Sequence, residues 1–280
     1  MAFTSPKIDK AVKTLFSPLR RRGTEKRLIM SKSLTPRLSV SAVKFLLFTN
    51  ESKLSNRENK MEETREQVKV WDWQERVIHW GLALSVIVLA ASGIFWEVGK
   101  DLGMPKEGRR VVKELHSYVG YLLALFFTLR VVRGFIGNRY AKWGDLFPHT
   151  KEQFEGIKAN VRWLLGGFRG LPPQAVGHNP LASLLYIVLF VVLVSQMVTG
   201  FILSGLEFNM FPGSIVVGGM GEEARKALKD GLKEVHEFGL IFTLVYLALH
   251  LGGNVIHDIK EKSGLLSSMI SGVKYLRKKD

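Results

Sequence analysis

Residues 236–250 read HEFGLIFTLVYLALH, two histidines fourteen positions apart in a segment that carries no charge from Phe238 to His257. At about 100° per residue, fourteen steps return to within about 40° of the starting face, and at about 1.5 Å per residue they climb about 21 Å. One helix thus shows two imidazoles to one side, spread over much of a ~30 Å hydrocarbon layer. Working outward, residues 77–96 and 181–206 are also free of charge, and residues 115–129 continue through Arg130 and Arg133 to about 136. Runs of 18 or more apolar residues read as spans, because every backbone polar group in lipid must be satisfied within the segment. The second run meets that length only with its arginines at a membrane face. The sequence predicts an all-α fold, an integral membrane four-helix bundle with spans at about 77–96, 115–136, 181–206 and 236–257.

The net charge of +15 is concentrated in residues 1–60, which hold fourteen Lys/Arg against four acids. Basic segments beside apolar spans follow the positive-inside pattern and give no reason to expect nucleic acid. With the N-terminus inside, segments 1–76, 130–180 and 258–280 hold 17, 8 and 6 Lys/Arg, against 5 and 4 in 97–114 and 207–237. The expected orientation is N-in and C-in, in the plasma (inner) membrane. Residues 1–67 read as a disordered basic extension, cleaved as a transit peptide or not translated at all, with Met61 the favoured start; residues 68–280 form the membrane domain. The absence of cysteine excludes disulfides, covalent CxxCH haem, cysteine-ligated clusters and thiolate zinc.

Under N-in topology His79 lies at the inner end of the first span and His116 at the outer start of the second. His236 is then outer and His250 inner. The four sort into two level pairs, His79 with His250 and His116 with His236, each drawn from different helices as axial ligation of a b-type haem requires. A lone histidine at a span end is commonly an interfacial polar residue, but four forming two level pairs are a poor match to chance. The reading is two non-covalent haem b groups, the inner iron held by His79 and His250 and the outer iron by His116 and His236. His149, His178 and His257 have no partners and read as solvated or interfacial.

Gly93, Gly120 and Gly239 fall near those histidines, where a missing side chain admits a flat macrocycle or a neighbouring helix. Arg130 and Arg76 lie at the inner level, as partners for haem propionates or as positive-inside anchors. Trp73, Trp80 and Trp96 read as an aromatic belt. Phe154, Ile157, Val161, Leu164 and Leu165 have the spacing of an interfacial amphipathic helix at about 150–166.

RVIHWGLALSVIVLAASG (76–93) and HEFGLIFTLVYLALH (236–250) resemble the first- and fourth-span motifs of the b-type cytochrome subunit of nickel–iron hydrogenases and of the related bacterial cytochrome b561 family. GFIGNRYAKW (134–143) and GHNPLAS (177–183) resemble the inner-loop signatures of that group, and the likeness covers about 68–278. It implies a four-helix bundle with two b haems on His79, His116, His236 and His250.

The leading expectation is an electron-transfer subunit of an oxidoreductase complex rather than a catalyst alone. Electrons would pass between a periplasmic partner, hydrogenase-like or a cytochrome c, and membrane quinone. The alternatives are a stand-alone cytochrome b561-type quinol oxidoreductase and a haem-free anchor or scaffold. A transporter fits poorly, since no span is broken by proline and no carboxylate lies in an apolar core.

Overall fold

The computed structural model describes residues 65–278, so the N-terminal extension up to residue 64, with its Met61 start, lies outside the described residues. Strand β1 (Arg65–Lys69) leads into α1 (Trp73–Asp101) and α2 (Lys106–Ile136). Two shorter helices, α3 (Trp143–Leu146) and α4 (Lys151–Leu165), precede α5 (Pro180–Phe208). The chain ends with α6 (Gly213–Val217), α7 (Glu222–Glu261), α8 (Leu265–Ser271) and β2 (Val273–Arg277).

Four of these helices are long and apolar enough to cross a membrane: α1, α2, α5 and α7, of 29, 31, 29 and 40 residues. Each outruns the expected span because charged turns extend the helix beyond the uncharged run. In α7 those are the turns from Glu222 to Glu237, which carry it well past a ~30 Å layer. Large apolar side chains point outward along the helices, among them Val191 at 66% exposed and Phe238 at 71%. A water-soluble protein does not show so continuous an apolar exterior. The chain is a multi-pass membrane protein.

Local chemistry sets the helix starts. Asp72 caps α1 by accepting from the Glu75 N–H at 2.9 Å. Asn179 caps α5, whose first residue is Pro180, the one position where a missing N–H costs nothing. Thr150 and Gln153 form a reciprocal capping box on α4, the helix expected near 150–166.

Helix α1 packs on α2, α2 on α5, and α5 on α7. Leu123 and Phe127 of α2 meet Leu189 and Leu193 of α5 at mid-depth, with Phe242 and Tyr246 of α7 against them. Helix α7 runs along α5 without comparable contact to α1 or α2, and the histidine rings reach across the intervening gap.

The strands were not anticipated. β1 pairs antiparallel with β2, Arg65 opposite Arg277 and Lys69 opposite Val273. The expected boundary at 67/68 falls inside β1, so Arg65–Gln67 belong structurally with the membrane domain. Four spans bring the two ends of the described segment to one side, and the strand pair closes the domain there. Gly272 makes the turn into β2 at φ +84°, and a Cβ there would collide with the Trp71 carbonyl.

Candidate functional site

The structure brings the four predicted histidines together as two facing pairs. The ring centroids of His116 (α2) and His236 (α7) are 6.2 Å apart, and those of His79 (α1) and His250 (α7) are 6.4 Å apart. An imidazole nitrogen lies about 1.1 Å from its centroid and bonds a metal at about 2.0 Å, so two rings on opposite sides of one metal would stand about 6.2 Å apart. Both pairs match that span. All four histidines are half-buried.

The surroundings of His116 and His236 select a tautomer. His116 Nδ1 lies 2.9 Å from Ser92 Oγ, and His236 Nδ1 lies 2.8 Å from Thr199 Oγ1. Ser92 donates its proton to the Leu89 carbonyl at 3.1 Å, and Thr199 donates to Ser195 at 2.7 Å. A hydroxyl has one proton; once it is given to the helix, the oxygen can only accept, here from the imidazole Nδ1–H. Nε2 is left with its lone pair, the form a metal ligand takes when its other nitrogen is held by a fixed acceptor.

Space is provided at the same level. A Cβ on Gly93 would lie 3.8 Å from His116 Cε1, and one on Gly200 3.3 Å from His236 Cε1. One on Gly120 would meet no described atom within 4 Å. Gly239 serves a different purpose: Gln196 crosses there and donates to the His236 carbonyl at 3.0 Å. Trp96, expected in the aromatic belt, packs edge-on against His116 with centroids 5.1 Å apart.

At the other end, His250 stacks on Tyr246 (13° between planes), and its Nε2 is 3.2 Å from Asn254 Nδ2. His79 meets Trp80 edge-on. Arg130 is buried: Nε donates to Tyr186 at 3.2 Å, one terminal nitrogen donates to the Ala141 carbonyl at 3.1 Å, and the other finds no partner among the described residues. A buried N–H without an acceptor is costly and suits an anionic group such as a propionate. Arg76 instead turns to the backbone, donating to the carbonyls of Ile270 and Asp72.

The signature loops prove to be scaffolding. Gly134 admits the Trp143 indole against α2. Asn138 caps the Tyr140 and Ala141 N–H groups and donates to the Val70 carbonyl. His178, expected to be solvated or interfacial, pairs with Asp145 at 2.7 Å; burial pushes its imidazolium below the ordinary value while Asp145 pulls the other way. Lys274 is buried, donating to the carbonyls of Val176 and Gly177 at 2.9 and 2.8 Å, and burial lowers it to about 8. His257 packs against Trp163, and His149 is exposed.

Among the described residues no three His, Asp or Glu converge as for a bare ion. Each pair of rings would supply two imidazole nitrogens to a metal whose other positions come from a macrocycle. A family model described as prokaryotic cytochrome b561 matches residues 70–272.

The chain belongs to the prokaryotic cytochrome b561 family. Membership implies haem b and membrane electron transfer, and the donor set of this cytochrome fits that group. It is 31% identical over 228 residues, 75% of this chain and 90% of the relative, to the probable Ni/Fe-hydrogenase B-type cytochrome subunit of Azotobacter vinelandii. It is 27% identical to the same subunit of Rhizobium leguminosarum bv. viciae, over 77% of this chain and 92% of that one. It is 26% identical to the probable Ni/Fe-hydrogenase 1 B-type cytochrome subunit of Escherichia coli K12, over 72% and 88%. No solved structure matches the chain.

Sequence reasoning missed Ser92 and Thr199. Their only signal is a hydroxyl within an otherwise apolar span, which every membrane helix tolerates by bonding its own backbone.

Proposed function

We propose that this cytochrome is the membrane subunit of a hydrogenase-type redox enzyme, carrying electrons between that partner and membrane quinone through two haem b groups. His116 and His236 hold one at the outer face, and His79 and His250 hold the other at the cytoplasmic face of the inner membrane, with both chain ends inside. The observation that carries the reading is the pair of ring separations, 6.2 and 6.4 Å, at two levels of one bundle. The names of the relatives support the partner class.

When bound, haem supplies reversible one-electron exchange between ferrous and ferric iron, chemistry that belongs to the cofactor. The protein's share is binding and orientation. Ser92 and Thr199 hold Nδ1 protonated and aim the rings, Gly93 and Gly120 leave room, and Arg130 offers a buried cation at the inner level. Leu123, Phe127, Leu189 and Leu193 fill mid-depth with apolar atoms, keeping water from the gap between levels. Quinone is expected at the His79–His250 end.

The test is a pyridine haemochrome assay on the purified chain. Two b haems per chain, lost one at a time from alanine variants at either end, support the reading. A chain with no haem b would be a scaffold, and one with a single haem would remove the two-site reading.

A further inference from the structure

A cavity of about 240 Å³ opens where the end of α1, the start of α2 and the end of α5 meet. It is lined by Trp96, Lys106, Arg109, Arg110, Lys113 and Glu207, four cations against one carboxylate. That carboxylate is already shared between Lys113 at 3.5 Å and Lys229 at 2.5 Å. Arg110 lies over the Phe208 ring at 5.9 Å. In Arg109 the Nε is buried and has no hydrogen-bond partner among the described residues.

Helical register ties this pocket to the His116 level. Arg109 precedes His116 by seven residues, which puts it within about 20° of the same face and about 10 Å further out. Lys113 precedes His116 by three, about one turn outward and about 60° round. Trp96 joins the two places, with its ring under Lys113 Nζ at 5.6 Å and against His116 at 5.1 Å. A buried guanidinium N–H left without an acceptor is expensive, and a carboxylate is the acceptor its planar fork fits best.

We propose that this pocket holds the propionate carboxylates of the haem ligated by His116 and His236, with Arg109 and Lys113 as the binding cations. The proposal rests on the two-haem reading above. Cations beside the carboxylates favour the reduced, less positive iron, so removing one lowers the midpoint potential of that haem alone.

The test is a redox titration of the intact holo-cytochrome in lipid nanodiscs for the parent, Arg109→Gln, Arg109→Lys and Lys100→Gln, the last an exposed cation at the same end of the bundle. With two haems per chain retained, Arg109→Gln should lower one potential by the equivalent of about a tenfold change in reduced-to-oxidised ratio, about 59 mV for one electron, and leave the other in place. Arg109→Lys should recover most of the shift, and Lys100→Gln should change the ratio less than twofold. Loss of only the His116–His236 haem from Arg109→Gln, with retention in Arg109→Lys, would also support the assignment. Unmoved potentials in Arg109→Gln overturn it. If anionic phospholipid then also fails to copurify, the pocket is a headgroup site. A parent holding fewer than two haems sinks the functional reading instead, and the haem count separates that failure from the other.

Discussion

At the His116–His236 end, each ring is held through Nδ1 by a hydroxyl that has already given its proton to a helix carbonyl. At the His79–His250 end no hydroxyl among the described residues performs that task, and His250 Nε2 faces the Asn254 amide. What braces this end is the scaffold around it. Arg133 bridges Asp72 and Glu75, at 2.6 Å to Glu75. Asn138 reaches the Val70 carbonyl, and Lys274 fastens β2 under the loop before α5. One pair is thus held at Nδ1 by hydroxyls, while the other has Tyr246, Asn254 and Trp80 against its rings and is braced by loops and tail that fix the helices carrying it. Similar ring separations are reached by different means, so the two ends should respond to different injuries.

The largest expected effect separates the ends outright. His116→Ala or His236→Ala should remove one b haem and leave the other spectrally intact; His79→Ala or His250→Ala should do the reverse. Loss of both haems from one substitution would show that the ends do not bind independently.

Next come the ring partners. Thr199→Val or Ser92→Ala removes the acceptor for Nδ1–H and should weaken retention at that end by about 10- to 100-fold, as expected for an outer partner of a ligating histidine. Its potential should rise as the ligand becomes less basic. Transfer of haem to apomyoglobin measures the first, redox titration the second. Asn254→Ala should leave retention at its own end undiminished, since the amide occupies the nitrogen that a metal would take.

Arg133→Gln tests the scaffold. Glu75 is buried at 6% exposure, and stranding a buried charge costs about 3 kcal/mol or more. Thermal unfolding in detergent should fall accordingly, while the His116–His236 haem keeps its spectrum in the folded protein.

The smallest effect is a pH dependence at the tail. Lys274 is lowered from 10.5 to about 8 by burial, so between those values the unfolded chain binds a proton that the folded chain does not. Stability of the tail therefore rises with pH across that window and is flat below about 8. Hydrogen exchange of the β1 and β2 amides, corrected for intrinsic rate, should show protection growing from pH 8 to 10 and losing that slope in Lys274→Met.

Much of this architecture could be read from the chain. Uncharged runs locate the spans because lipid penalises every unpaired polar group, a constraint that acts residue by residue along each helix. The fourteen-residue step from His236 to His250 follows from helical periodicity, and antiparallel succession of four spans sorts His79 and His116 to opposite ends. Those are properties of one helix at a time, or of span parity. Ser92 under His116, Thr199 under His236, Arg133 on Asp72 and Glu75, and Arg65–Lys69 along Val273–Arg277 depend on how each helix is rotated and on pairings up to some two hundred residues distant. No local pattern encodes such contacts; packing alone selects them.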